Sequence, residues 1–305
     1  MRIYLNKILL IFPNLRTRKF IPPPMNIPSI SYSTLIAILI EEKIPFNFID
    51  ANALNLSMSE IFDRIKKFQP NFIGLSTNIA FAYQSCFLAA NIKLKFKNIK
   101  IIMGGPWASA TYDYILKKKF ADIVVIGEAE KSLIEILQKK PSEYGNIEGI
   151  AFINEETRKI EKTKPKPFID DLDAYPFPKW NDFPSPRNYF IYHRHPIFYP
   201  IITTRGCPYG CINCTKIVHG HKIRARSVQH IISELKYLKN ELHCEEILIE
   251  DDFFNFDIDR TMNLLKEIIK QRFNFSIQLL GVRADHINEK LVRMMKFAGV
   301  YKVSI

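Results

Sequence analysis

The feature that most constrains this chain is the alternation of short apolar runs with amphipathic stretches. Residues 7–12, 46–50, 72–76, 100–103 and 123–127 read as strands that are apolar on both faces. Between and after them, residues 29–43, 57–68, 82–96, 110–119 and 128–138 read as helices, with Ile61, Ile65 and Phe68 repeating at helical spacing behind Ser57 or Ser59 as a cap. Strands of this kind need cover on both faces, which calls for a parallel sheet with crossover helices. The expected fold class is α/β, opening with a doubly wound parallel sheet of Rossmann or flavodoxin type over residues 1–140. The opening stretch, residues 1–14 with its short apolar run, reads as a first strand and not a signal peptide, because it lacks a small-residue cleavage site.

Eight prolines between 141 and 198 interrupt the pattern, and this stretch reads as a Pro-rich linker with a strand and hairpin start near 146–154. From Tyr199 the alternation resumes, with strands at 201–204, 246–250, 275–280 and 302–305 and helices at 227–241, 259–271 and 289–297. Ligands of open α/β sheets bind outside the carboxyl ends of the strands. In the first domain those ends are Pro13-Asn14, Asp50-Ala51-Asn52, Ser76-Thr77-Asn78, Gly104-Gly105-Pro106 and Gly127-Glu128.

Composition excludes several classes. With 47% apolar and 24% charged residues over 305 positions, the chain can bury a real core and is neither disordered, collagen-like nor coiled coil. No apolar run is long enough to span a membrane. The net charge of +12 comes from scattered lysines, which read as a solvated basic surface, and no nucleic-acid partner is expected. Five cysteines, three of them within eight residues, indicate metal-ligand usage in a reducing, cytoplasmic compartment, not disulfide stapling.

Those three lie in Cys207-Pro208-Tyr209-Gly210-Cys211-Ile212-Asn213-Cys214, directly after a strand. Three thiolates in one short loop can hold three corners of a 4Fe-4S cluster and leave its fourth iron open for a ligand. The alternative is zinc held by Cys207, Cys211 and Cys214 with His219 or His221, though zinc knuckles favour two-residue gaps and the first gap here has three. Cys86 and Cys244 read as packed or free thiols, and His193 and His195 as non-ligands.

The segment from Thr204 to Cys214 resembles the signature loop of the radical S-adenosylmethionine (SAM) superfamily. The resemblance implies that Cys207, Cys211 and Cys214 bind the cluster and that SAM binds its open iron. SAM is then cleaved to methionine and a 5′-deoxyadenosyl radical for C–H functionalisation. Where the family commonly has an aromatic residue before the last cysteine, this chain has Asn213. Tyr209, Asn213, Glu250, Asp251 and Arg283 are the SAM-side candidates. The first half resembles the cobalamin (B12)-binding domain found ahead of such cores. Its cobalamin candidates are Asn14, Asn52, Ser76, Thr77, Gly104, Gly105, Pro106, Gly127 and Glu128. After Asp50 the chain reads Ala51-Asn52-Ala53-Leu54-Asn55, without the histidine that serves as lower base, so the resemblance implies base-off cobalamin with no His ligand.

The resemblance also implies that residues 199–305 are the N-terminal part of a radical SAM (β/α) partial barrel, either truncated or completed by a second chain. It implies a reductant such as flavodoxin or ferredoxin, and a substrate among small molecules, lipids and natural products. The neighbouring tRNA methylthiolation family carries three cysteines in its N-terminal domain, where this chain has only Cys86. The rival from another class is a non-catalytic or vestigial corrinoid-binding or interaction protein.

Overall fold

A computed structural model describes residues 6–16, 27–189 and 193–305. Residues 1–5 of the opening run and 190–192 of the Pro-rich stretch lie outside them. Two compact units form, the first mainly from Ser31–Phe168 with the residues before 17 and Pro178–Pro184, the second from Ile27–Ile30, Ile169–Phe177 and Ser185–Ile305.

The first unit runs β1 (Ile8–Phe12), α1 (Ile30–Glu41), β2 (Phe46–Asp50), α2 (Met58–Phe68), β3 (Phe72–Ser76), α3 (Ala82–Lys95), β4 (Lys100–Gly104), α4 (Pro106–Ala110), α5 (Tyr112–Lys117), β5 (Ile123–Val125), α6 (Glu130–Gln138), β6 (Ile150–Ile153) and β7 (Ile160–Lys162). Its sheet has the order β2-β1-β3-β4-β5-β6-β7. The first five strands are parallel, in the flavodoxin-like order whose switch point lies between β1 and β3. The strands β6 and β7 extend the sheet antiparallel to β5. Leu9, Ile11, Ile73, Leu75, Ile101 and Met103 pack against Ile61 and Ile65 of α2 and Leu88, Ala89 and Ile92 of α3. The helix α1 is largely apolar, and the segment 178–184 lies against it: the Lys179 N–H donates to the Ser33 carbonyl at 3.2 Å. Phe183 packs on Phe48 of β2 at 4.4 Å.

Two boundaries differ from the sequence reading. The expected linker from residue 141 is part of the first unit as far as Phe168, because Ile150, Ala151 and Phe152 pair with β5. The helix expected near 110–119 runs from Tyr112 to Lys117, and a separate short one, Pro106–Ala110, precedes it, started by Pro106 at a position where its missing N–H costs nothing.

The second unit contains β8 (Phe198–Ile201), the short pair β9 (Thr204–Arg205) and β10 (Arg224–Ala225), α7 (Val228–Glu241), β11 (Glu246–Glu250), α8 (Ile258–Gln271), β12 (Ser276–Leu280), α9 (Glu289–Phe297) and β13 (Val300–Val303). The strands β8, β11, β12 and β13 lie side by side in chain order, all parallel, as successive βα units of a partial barrel. Ser227, Asp257 and Asn288 cap α7, α8 and α9 by accepting the third helical N–H. Among the described residues no helix is long and apolar enough to cross a membrane.

Candidate functional site

The three-cysteine segment occupies the loop 206–223 between β9 and β10, above the carboxyl ends of β8, β11 and β12, the face on which barrels of this kind do chemistry. The sequence places a strand through 201–204, yet β8 ends at Ile201. The reason is a set of side chains that take over the backbone groups of residues 202–206. Asp251 Oδ1 accepts the N–H groups of Thr203 (2.5 Å) and Thr204 (3.1 Å), and its Oδ2 accepts the Thr203 hydroxyl. Arg226 Nη1 donates to the Ile202 carbonyl at 2.9 Å, and Arg260 Nη2 donates to the Thr203 carbonyl at 3.1 Å. Asp252 Oδ2 accepts the Gly206 N–H at 2.9 Å, one residue before Cys207. Burial pushes the Asp251 carboxyl up, against the pull of its Thr203 and Thr204 donors. Burial likewise pushes the Arg260 guanidinium down, against Asp251 and Asp257.

Gly206 cannot be replaced without moving backbone. Its φ is +89°, and a Cβ there would stand 2.3 Å from the Lys222 carbonyl oxygen, where the two sides of the loop cross. Beyond that crossing the loop opens out. Cys207 is buried, whereas Cys211 and Cys214 are exposed, and all three are free thiols. Lys216 Nζ lies 2.9 Å from Cys214 Sγ, and that contact pushes the lysine ammonium up. Among the described residues no three His, Cys, Asp or Glu side chains stand together as a metal-binding group. Neither a cluster geometry nor a Cys3His tetrahedron with His219 or His221 is therefore preassembled. The donor set still fits an iron–sulfur cluster: three thiols on one exposed loop whose base is fixed by Asp251, Asp252 and Gly206.

The SAM-side candidates separate into groups. Glu250, at the end of β11, has its carboxyl pushed up to about 7 by burial. Asp251 next to it is buried and accepts from the Thr203 and Thr204 N–H groups and the Thr203 hydroxyl. Arg283, in the turn after β12, grips Asp285 at 2.6 Å and lies 3.5 Å over the ring of Tyr209, whose hydroxyl meets His286 Nε2 at 3.1 Å. Arg283 thus clamps the cysteine loop to the turn after β12. Asn255, which is buried, fixes that turn by accepting the Arg283 N–H (2.9 Å) and donating to the carbonyls of Arg283 and His286. Asn213 is exposed at the loop tip. Asp252, Asn255, Arg226 and Arg260 carry no motif in the sequence; a run of acidic residues at a strand end was the only hint.

In the first unit the candidate residues gather on one edge of the sheet. Asn14 donates to the Leu56 carbonyl at 3.0 Å, and Asn52 Oδ1 accepts the Leu15 N–H at 3.1 Å. Asp50 folds the turn between them by accepting the N–H groups of Asn52 and Ala53. Thr77 bonds to the Gly104 carbonyl through N–H and hydroxyl, and Ser109 Oγ accepts the Gly127 N–H at 3.1 Å. Gly105, at φ +93°, passes so close to Thr77 that a Cβ would lie 2.6 Å from the Thr77 carbonyl oxygen. Gly104, Gly105 and Gly127 therefore leave a rim of bare backbone, with Pro106 next in the chain and Glu128 beside it largely buried.

Residues 23–137 match the family model of the B12 binding domain. An uncharacterized methyltransferase of Pyrococcus horikoshii is 29% identical over 88% of this chain and 58% of its own length. Two solved structures share the fold over nearly all of it. One is the cobalamin-dependent SAM radical enzyme OxsB, solved with aqua-cobalamin and SAM bound (TM-score 0.79, 18% identity, 99% of this chain and 44% of that one). The other is the radical SAM methyltransferase TsrM from Kitasatospora setae, solved with tryptophan and a SAM analogue (TM-score 0.73, 18% identity, 98% and 58%). The chain spans about half the length of the relatives it matches. Sheet order and these matches agree: the chain has the fold of the cobalamin-dependent radical SAM enzymes, and its residues 23–137 are similar to the B12 binding domain.

Proposed function

We propose that the chain supplies the cluster-binding and corrinoid-binding parts of a radical SAM enzyme that functionalises C–H bonds, methylation of an unactivated carbon being the favoured reaction. The observation that carries this reading is the loop with three free thiols, anchored by Asp251 and Asp252 at the carboxyl end of a parallel sheet. Cys207, Cys211 and Cys214 would hold a 4Fe-4S cluster, and SAM would take its open iron. The rim of Ser76, Thr77, Gly104, Gly105, Pro106, Gly127 and Glu128 would hold cobalamin, with no histidine beneath it. When bound, these groups supply a 5′-deoxyadenosyl radical and a methyl carrier.

The chain's own part is positioning. Asp251, Asp252, Arg226 and Arg260 fix where the loop starts. Arg283 and His286 hold Tyr209, and with it the near side of the loop. Glu250, its carboxyl at about 7, can accept a hydrogen bond from an ammonium or hydroxyl group of a ligand lying over the strand ends. The substrate is a small molecule, lipid or natural product, and the electron comes from a flavodoxin- or ferredoxin-type reductant in a reducing cytoplasm.

The test is SAM cleavage by the anaerobically reconstituted chain under strong reductant. The reading expects 5′-deoxyadenosine from the wild type and none from C207A, C211A or C214A. Equal background from all four overturns it.

A further inference from the structure

The switch point of the first unit is not an open crevice. The register of β1 with β3 runs from Ile8↔Phe72 to Leu10↔Gly74 and goes no further. On their other sides both strands stay paired to their ends, at Phe12↔Asp50 and Ser76↔Gly104. The next bond of a parallel ladder would join the Ile11 carbonyl to the Ser76 N–H. A side chain stands there instead. The Tyr32 hydroxyl donates to the Ile11 carbonyl at 2.6 Å and accepts from the Ser76 N–H at 2.7 Å. Its ring is walled by Phe12 (6.1 Å) and Phe48 (5.3 Å), and Tyr32 is 1% exposed. Burial pushes the phenol well above its ordinary value, so it stays a neutral donor.

We infer that Tyr32 is a specificity-determining residue of the corrinoid site: it wedges β1 from β3 and fills the gap, so that the domain takes a corrinoid by its macrocycle and leaves the nucleotide arm outside the sheet. This rests on the corrinoid reading above. An arm that entered between β1 and β3 would have to expel an aromatic ring and strand both the Ile11 carbonyl and the Ser76 N–H. Unpaired buried groups of that kind are costly. The macrocycle meets no such obstacle, because the rim at Gly104, Gly105 and Gly127 is backbone without side chains.

The test compares aquocobalamin with diaquocobinamide, which has the same corrin ring and no nucleotide arm. Both are titrated into the full chain and followed by corrin absorbance. The inference expects the two dissociation constants to agree within about threefold, since the arm adds nothing. Y32F keeps the ring and should keep that ratio. Y32A, or Y32L should Y32A not fold, opens the gap and should shift the ratio at least about fivefold toward aquocobalamin. A larger than threefold preference of the wild type for aquocobalamin overturns the inference, as does an unchanged ratio in the folded Y32A or Y32L chain. Failure to bind either corrinoid overturns the underlying reading, and the inference with it.

Discussion

Asp251 and Asp252 are neighbours in sequence with different work. Asp251 is buried and carries three hydrogen bonds to Thr203 and Thr204, so D251A strands those donors and should cost about 3 kcal/mol, read as a fall in Tm. Asp252 is exposed and accepts the Gly206 N–H. D252A should cost only about 0.5 kcal/mol. It should nevertheless release iron to a chelator faster than wild type, while D252N, which still offers an oxygen, stays close to wild type. If D252A and wild type release iron at the same rate, Asp252 does not position the loop. The acidic run Glu250-Asp251-Asp252 is visible in the sequence, but its division of labour is not. Which carboxylate turns inward depends on Thr203, 48 residues away in the chain.

The elements themselves were largely legible. Ser57 caps α2 with Glu60 reaching back, and Ser227 caps α7, because capping chemistry is local in sequence. The parallel strands were legible because burial on both faces leaves a continuous apolar run. What could not be read was long-range substitution for a ladder, as in the early end of β8 and in Tyr32, where one hydroxyl stands in place of a backbone bond.

The opposite end of the second sheet shows the same limit. Glu246, the first residue of β11, accepts from Gln278 of β12 (2.7 Å), Tyr301 of β13 (2.5 Å) and the N–H groups of Arg194 and His195, and meets His193 Nδ1 at 2.5 Å. His193 and His195 thus serve the base of the sheet. Burial pushes the Glu246 carboxyl up, but His193, Tyr301 and Gln278 outweigh it and bring it down to about 2. A carboxyl held below its unfolded value stabilises the fold above that unfolded value and loses its contribution as pH falls toward the folded one. Thermal stability from this group should therefore hold from neutral pH to near 4.5 and drop between there and about 2. E246Q should lower Tm at neutral pH and flatten that acid limb. An acid limb as steep in E246Q as in wild type would assign it to other carboxylates.

At the scale of the whole chain, two units each present the carboxyl ends of parallel strands, one with a rim of bare backbone, the other with a three-thiol loop. The unit boundary was the least legible feature. Prolines from 141 onward read as a linker, while residues 150–153 and 160–162 join the first sheet and 178–184 lie against α1. Proline marks where helices stop and leaves open whether the chain then pairs as an edge strand.

The central proposal is that Cys207, Cys211 and Cys214 would hold a 4Fe-4S cluster and that the first unit would hold a corrinoid. Iron, sulfide, cobalt and zinc counted in the chain after anaerobic reconstitution with iron, sulfide and cobalamin test it most directly. The account predicts about four iron and four sulfide per chain with about one cobalt, and a C207A/C211A/C214A chain that loses the iron and keeps the cobalt. About one zinc per chain with no stable cluster would contradict it.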